Sequence, residues 1–215
     1  MNGMFYSLKD IGVFILILLF LITFSVFFII NASWLYYVTI AFMGLAVKFH
    51  VSNGLLMENF HRMTNFIQNP FTSVLKLNQF PISSNGMVHF ENVRTLTLVN
   101  NLVLLITFIS LLIIMFRFNY FKKMWKLQSL SEVTMLMTGV LALFCVLDFQ
   151  DVFIYFHEVL FKNQDWIFNP KKDPIINVLP DQYFLMCFAL FFLLVIVGLI
   201  IVAIIGKREL KKESF

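Results

Sequence analysis

Between Phe149 and Phe168 seven of twenty residues are Phe, Tyr or Trp, twice the 17% aromatic share of the whole chain, and His157 stands among them. An imidazole is the side chain whose ordinary pKa allows proton uptake and release near neutrality. A histidine lodged among rings is therefore a candidate general acid or base. Three other histidines are available, His50, His61 and His89. The first two fall in a polar stretch where a solvated surface role is expected. His89 opens a long apolar run, as His157 closes one, and the two are read as a pair.

Other chemistries lack their signatures. There is no GxSxG elbow and no serine with a convincing partner, no HExxH and no clustered Cys/His spacing, and Gly86 and Gly139 stand alone rather than in a phosphate loop. Cys145 and Cys187 both lie in apolar stretches, without disulfide or redox spacing. No cofactor and no metal is predicted. If the helix carrying His157 continues from the preceding apolar stretch through Glu158, then Asp148, Asp151, Tyr155 and Glu158 share one face, with Phe153, His157 and Phe161 on another. On that reading the acids orient the imidazole and select its tautomer.

The elements that must hold these residues are membrane elements. With 60% hydrophobic and 13% charged residues, the chain is too apolar for a soluble domain. It is predicted to be an all-α integral membrane protein. The net charge of +4 does not point to nucleic acid, because the Lys and Arg residues gather beside apolar spans. Four stretches reach the roughly 20 residues that a bilayer core requires: 11–30, 96–116, 131–149 and 182–205. The first lacks a small-residue cleavage site and is read as a retained anchor. Trp34–Val47 is too short to span and is expected to be extended or surface-lying. With four spans, Lys9, the Arg117–Leu130 loop and the KRELKK tail share one side, the cytoplasm by the positive-inside rule.

A single membrane domain then carries an extracytoplasmic cap built from residues 31–94 and 148–181, with short helix and extended structure mixed. In the first segment Ser52 or Asn53 caps a helix with Leu56, Phe60, Met63 and Ile67 on one stripe, ended by Asn69-Pro70. Phe71–Ile82 alternates weakly, and Ser83–Gly86 forms a turn that starts the helix carrying His89. That helix runs unbroken into the second span. Both histidines thus sit where cap meets membrane, a setting suited to acid-base chemistry on a lipid-linked substrate. A non-enzymatic adaptor or transporter subunit, and a phospholipase-like hydrolase using water, fit the same residues.

Four motifs, HFENVR (89–94), FHEVLF (156–161), QDWIFNP (164–170) and DPIINVLPDQYF (173–184), make the chain resemble the bacterial lipoprotein intramolecular transacylases over nearly its whole length. Asn92 stands where members carry an aspartate, and Glu158 where a second histidine often follows the first. The resemblance implies four membrane helices, an extracytoplasmic cap, catalytic histidines at His89 and His157, and a diacylated lipoprotein substrate met among membrane lipids. In that family the sn-2 acyl chain of the diacylglyceryl group moves to the α-amino group of the N-terminal cysteine. The substrate supplies its own nucleophile, an amine with a free pKa near 8. Phe153, Tyr155, Phe156, Phe161, Trp166 and Phe168 are then expected to wall the site. Arg94, Asn or Trp side chains are candidates to stabilise the oxyanion. A cytoplasm-only reporter fused to the C-terminus is expected to be active, and a signal from an extracytoplasmic reporter at that position would show the spans to be miscounted.

Overall fold

The computed structural model describes residues 6–213, and the described residues contain helices and no strand. The α-helices are α1 (Leu8–Asn31), α2 (Ser33–Met43), α3 (Leu45–Lys48), α4 (Asn53–Gln68), α5 (Ser84–Leu112), α6 (Gln128–Leu147), α7 (Phe149–Phe161) and α8 (Asp181–Glu213). Four helical stretches are long and apolar enough to cross a membrane: Leu8–Asn31, Ser84–Arg117, Tyr120–Leu147 and Asp181–Lys212. They contain the four predicted spans apart from the last two residues of the third. The hydroxyls of Thr23, Ser25, Thr97, Thr107, Ser131 and Thr138 donate to carbonyls four residues back in the same helical stretch. This satisfies polar side chains where no water is at hand.

The chain forms two compact units. One runs to Val26, takes in Asn101–Leu143 and resumes at Leu190. Its core interleaves Val13, Phe14 and Ile17 of α1, Tyr120, Met124 and Leu127 of the 3-10 turn before α6, and Val195, Leu199 and Val202 of α8. These positions recur at helical spacing, so each element offers one stripe to the others. The polar anchor is Asp10, which is buried. It accepts the Tyr120 hydroxyl at 2.7 Å and the Ser7 hydroxyl at 2.7 Å, with Lys126 Nζ 3.4 Å away. The basic 3-10 turn is thereby tied to the start of α1.

The other unit comprises Phe27–Asn100 and Phe144–Ala189. Here α2 buries Leu35, Tyr36, Thr39 and Ile40. The Tyr36 ring stacks on Phe60 of α4 at 4.5 Å and meets Tyr183 of α8 edge-on at 5.5 Å, while its hydroxyl donates to the Val178 carbonyl at 2.9 Å. Trp34–Val47 is thus helical rather than extended. Only Leu35, Tyr36, Thr39 and Ile40 share the buried stripe, while Trp34, Tyr37, Val38, Phe42 and Val47 are exposed, and Gly44, at φ 59°, marks the break between α2 and α3. The α4 helix is capped by Ser52, which accepts the Leu55 N–H at 3.0 Å. It buries Leu56, Asn59, Phe60, Met63 and Phe66. Asn59 holds the irregular segment that follows, donating to the Asn78 carbonyl at 3.0 Å and accepting its N–H at 2.6 Å.

The condition of one helix continuing through Glu158 is not met: α6 ends at Leu147, Asp148 adopts φ −139° and ψ 63°, and α7 begins afresh at Phe149. The strictly apolar run ends at Asp148, whose backbone leaves the helical region there. In the first unit, a Cβ added at Gly206 of α8 would lie 2.8 Å from the Met124 carbonyl oxygen and 3.3 Å from Gln128 Cβ. Gly206→Ala should therefore destabilise the protein by about 1–3 kcal/mol through overpacking. Thermal unfolding in detergent or lipid discs checks this, and an unchanged midpoint would contradict the close approach.

Candidate active site

Two helices supply the imidazoles. His89 lies near the start of α5 and His157 in the last half of α7, and their ring centroids are 6.0 Å apart with planes tilted by 36°. Phe161 touches both, with centroids 4.8 Å from His89 and 5.6 Å from His157. Around His157 stand Phe153 at 4.2 Å, Phe156 at 5.4 Å and Trp166 at 4.7 Å. Phe168 meets His89 edge-on at 5.5 Å. Five of the six predicted wall residues therefore line the pair. The sixth, Tyr155, is 69% exposed and points elsewhere.

The loop that brings Trp166 and Phe168 over the pair is built by local hydrogen bonds. Lys162 closes α7 in the left-handed region, at φ 52°. Asn163 Oδ1 then accepts the Asp165 N–H at 3.1 Å, and its carbonyl accepts Trp166 Nε1–H at 3.0 Å. Such a turn, made by an asparagine side chain capping its own backbone, fixes the indole against His157.

His157 is buried, and its Nδ1 lies 2.7 Å from the Phe153 carbonyl oxygen. A carbonyl oxygen only accepts, so Nδ1 carries the proton and the neutral ring presents its lone pair on Nε2. The predicted orienting acids are not its partners, since Asp148, Asp151 and Glu158 are exposed. A main-chain carbonyl one turn earlier on the same helix replaces them. Burial is the larger influence on the His157 pKa and pushes it below the usual imidazole value, while the bond to Phe153 acts in the opposite direction. The ring is therefore neutral at pH 7. Nδ1 of His89 is buried without a hydrogen-bond partner among the described residues, so its capacity is unspent.

Two of the oxyanion candidates, Arg94 and Trp166, are committed elsewhere. Arg94 donates from Nη1 to the Thr72 carbonyl and from Nη2 to those of Asn69, at 3.1 Å, and Pro70, at 2.9 Å. Its guanidinium lies 4.9 Å from the Phe66 ring centroid. It closes the C-terminal end of α4, where free carbonyls favour a cation. Trp166 Nε1–H is likewise taken by Asn163. His50 and His61 are exposed, after α3 and on α4. Sequence reasoning missed Phe90, which packs on Phe168 at 5.9 Å, and Phe184 and Phe188, which back Phe153 and Phe156 at 5.3 Å each. The four-residue spacing of Phe184 and Phe188 was the available signal.

The fold and this site define a multi-pass, all-helical membrane protein with two imidazoles inside an aromatic enclosure. Residues 11–184 match the family described as lipoprotein intramolecular transacylase Lit, and the chain belongs to that family. It is an acyltransferase of lipoprotein maturation, acting by intramolecular acyl transfer. Among solved structures it is similar to the membrane integral lipoprotein intramolecular transacylase Lit from Bacillus cereus, with a TM-score of 0.86, 24% identity and 94% of each chain covered. Two forms of that protein, each with a histidine replaced, one by arginine and one by alanine, match with a TM-score of 0.78 and 24% identity. They cover 94% of this chain, and 90% and 92% of theirs respectively. At that identity the likeness concerns the fold. No curated protein sequence gives a significant match.

The lowered pKa has a sign that can be tested. A base that must be neutral works above its pKa and fails as pH falls through it, and here that point lies below the ordinary 6.5. Nitrogen-15 NMR of histidine side chains is expected to show His157 as the Nδ1–H tautomer at pH 7, titrating below 6.5. An Nε2–H tautomer, or titration above 6.5, would contradict the geometry.

Proposed function

We propose that His89 and His157 are the catalytic pair for transfer of the sn-2 acyl chain of a diacylglyceryl lipoprotein to the α-amino group of its N-terminal cysteine. The observation that carries this reading is the 6.0 Å separation of two imidazoles inside one shell of rings. A single head group can touch both. The attacking nitrogen must lose a proton as it bonds to the ester carbonyl carbon, and Nε2 of His157 presents a lone pair for it. The departing glyceryl oxygen must gain a proton, and His89, the second imidazole within reach, relays to it the proton that His157 has taken. The count balances, since one proton is taken and one returned. The amine belongs to the substrate, which explains why a two-imidazole site needs no serine or thiol nucleophile.

The attack is intramolecular, so confinement that brings amine and ester together accounts for much of the rate. Phe153, Phe156, Phe161, Trp166 and Phe168 supply that confinement and exclude the water that would otherwise hydrolyse the ester. The clustering of Lys and Arg in the Arg117–Leu130 loop and the C-terminal tail supports a site on the extracytoplasmic face with both termini in the cytoplasm.

Mass spectrometry of a diacylated lipopeptide before and after incubation tests the reaction. The expected product keeps its total acyl mass but carries one chain on nitrogen. His89→Ala and His157→Ala are each expected to reduce the shift by about 10²–10⁴-fold, whereas His50→Ala and His61→Ala leave it intact. Full activity in either of the first two variants would sink the assignment. Net loss of one acyl chain by the wild-type protein would instead make it a hydrolase.

A further inference from the structure

Asp173 opens the motif DPIINVLP and is 3% exposed, yet it takes no part in the chemistry described above. Its Oδ1 accepts the main-chain N–H of Ser83 at 2.7 Å and its Oδ2 accepts the Ser83 hydroxyl at 2.9 Å. The Ser83 hydroxyl oxygen in turn accepts the Gly86 N–H at 3.1 Å, one of the donors left open at the start of α5. Gly86 leaves the room this requires. A Cβ there would lie 2.6 Å from Asp173 Oδ1 and 3.3 Å from its Cγ. A buried carboxylate is costly unless it is well bonded. Two charge-assisted bonds and the positive end of α5 offset that cost.

The position of this contact in the chain gives it a consequence. On one side, Gly86 is three residues before His89. On the other, the Asn169 carbonyl accepts the N–H of Asp173 at 2.7 Å and that of Lys172 at 2.9 Å, closing a turn directly after Phe168. The segment carrying Trp166 and Phe168 is thus fastened to the helix that carries His89. Ring contacts alone are non-directional and can slide, whereas two bonds to one serine fix a register.

We propose that Asp173 is a positioning residue, a latch that holds the Trp166–Phe168 segment closed over the two histidines through Ser83 and Gly86. The inference rests on the acyl-transfer reading for its effect on products. Without the latch, water reaches the ester. Its oxygen then bonds to the acyl carbonyl carbon, the bond to the glyceryl oxygen breaks, a water proton passes to that oxygen, and a fatty acid leaves while the amine stays free.

The test uses the full chain in lipid discs with a diacylated lipopeptide, comparing wild type, Asp173→Ala and Asp173→Asn by mass spectrometry. Asp173→Ala is expected to lower kcat for transfer by about a hundredfold, with little change in KM, since small misplacements have that effect. It is also expected to release free fatty acid, which a protein that has simply lost its fold would not do. Asp173→Asn keeps an acceptor for the Ser83 N–H and should recover most of the transfer. A second arm measures acrylamide quenching of Trp166 fluorescence in a Trp34→Phe, Trp125→Phe background. Quenching should rise in the alanine variant and stay at the wild-type level in the asparagine variant.

Wild-type transfer and quenching in Asp173→Ala would overturn the latch. If the alanine variant loses its thermal transition, the asparagine variant decides, and loss of transfer in it without increased quenching would likewise overturn the proposal. Failure of the wild type to move the acyl chain would remove the reaction reading, leaving the fluorescence arm to decide the latch alone.

Discussion

The hydrogen bond from Nδ1 of His157 to the carbonyl of Phe153 does two things at once, and the surrounding structure depends on both. It assigns the ring a tautomer, which leaves the lone pair on Nε2. It also removes any need for a carboxylate beside the imidazole, so the shell around His157 can be built of rings. A carboxylate partner would favour the charged imidazolium, and a carbonyl does so far less. The enclosure therefore keeps a neutral imidazole without a buried acid to pair.

Polar groups near the site are occupied in holding backbone. Arg94 gathers three carbonyls at the end of α4, Asn59 grips Asn78 by both amide atoms, Asn163 seats the indole of Trp166, and Asp173 ties Ser83 to the start of α5. Arg94, Asn59 and Asp173 work on main chain in irregular stretches where no helix supplies partners, and the Asn163 side chain does the same for the Asp165 N–H. On the proposed mechanism the chemistry falls to two rings, and the supports secure the segments on which those rings and their walls ride.

Much of the fold could be read from the residues because it follows from length and periodicity. The four spans and the α4 stripe were legible on those grounds, as was the unbroken run from His89 into the second span. The pairing of His89 with His157 was legible as a shared level at the cap boundary. What failed shows where one-dimensional patterns stop. The acids at Asp148, Asp151 and Glu158 have correct helical spacing for a common face, but spacing does not say which way that face turns once α7 breaks from α6. Arg94 looked like an oxyanion donor because a cation near a candidate base invites that reading. Its carbonyl partners lie 22 to 25 residues earlier in an irregular segment, beyond any local pattern. The Asp173–Ser83 contact spans 90 residues, and its one trace in sequence was a glycine at position 86.

The break at Asp148 also bears on how this chain can change over evolution. In a continuous helix, inserting or deleting one residue rotates everything beyond it by about 100°. Across the interruption between α6 and α7 that rotation need not be passed on. The length of α6 can drift to suit a thicker or thinner bilayer while the ring on α7 keeps its bearing. His89 has no such protection, because α5 continues without interruption from it into its span. Length changes should therefore be tolerated more readily before Asp148 than within the first turns of α5.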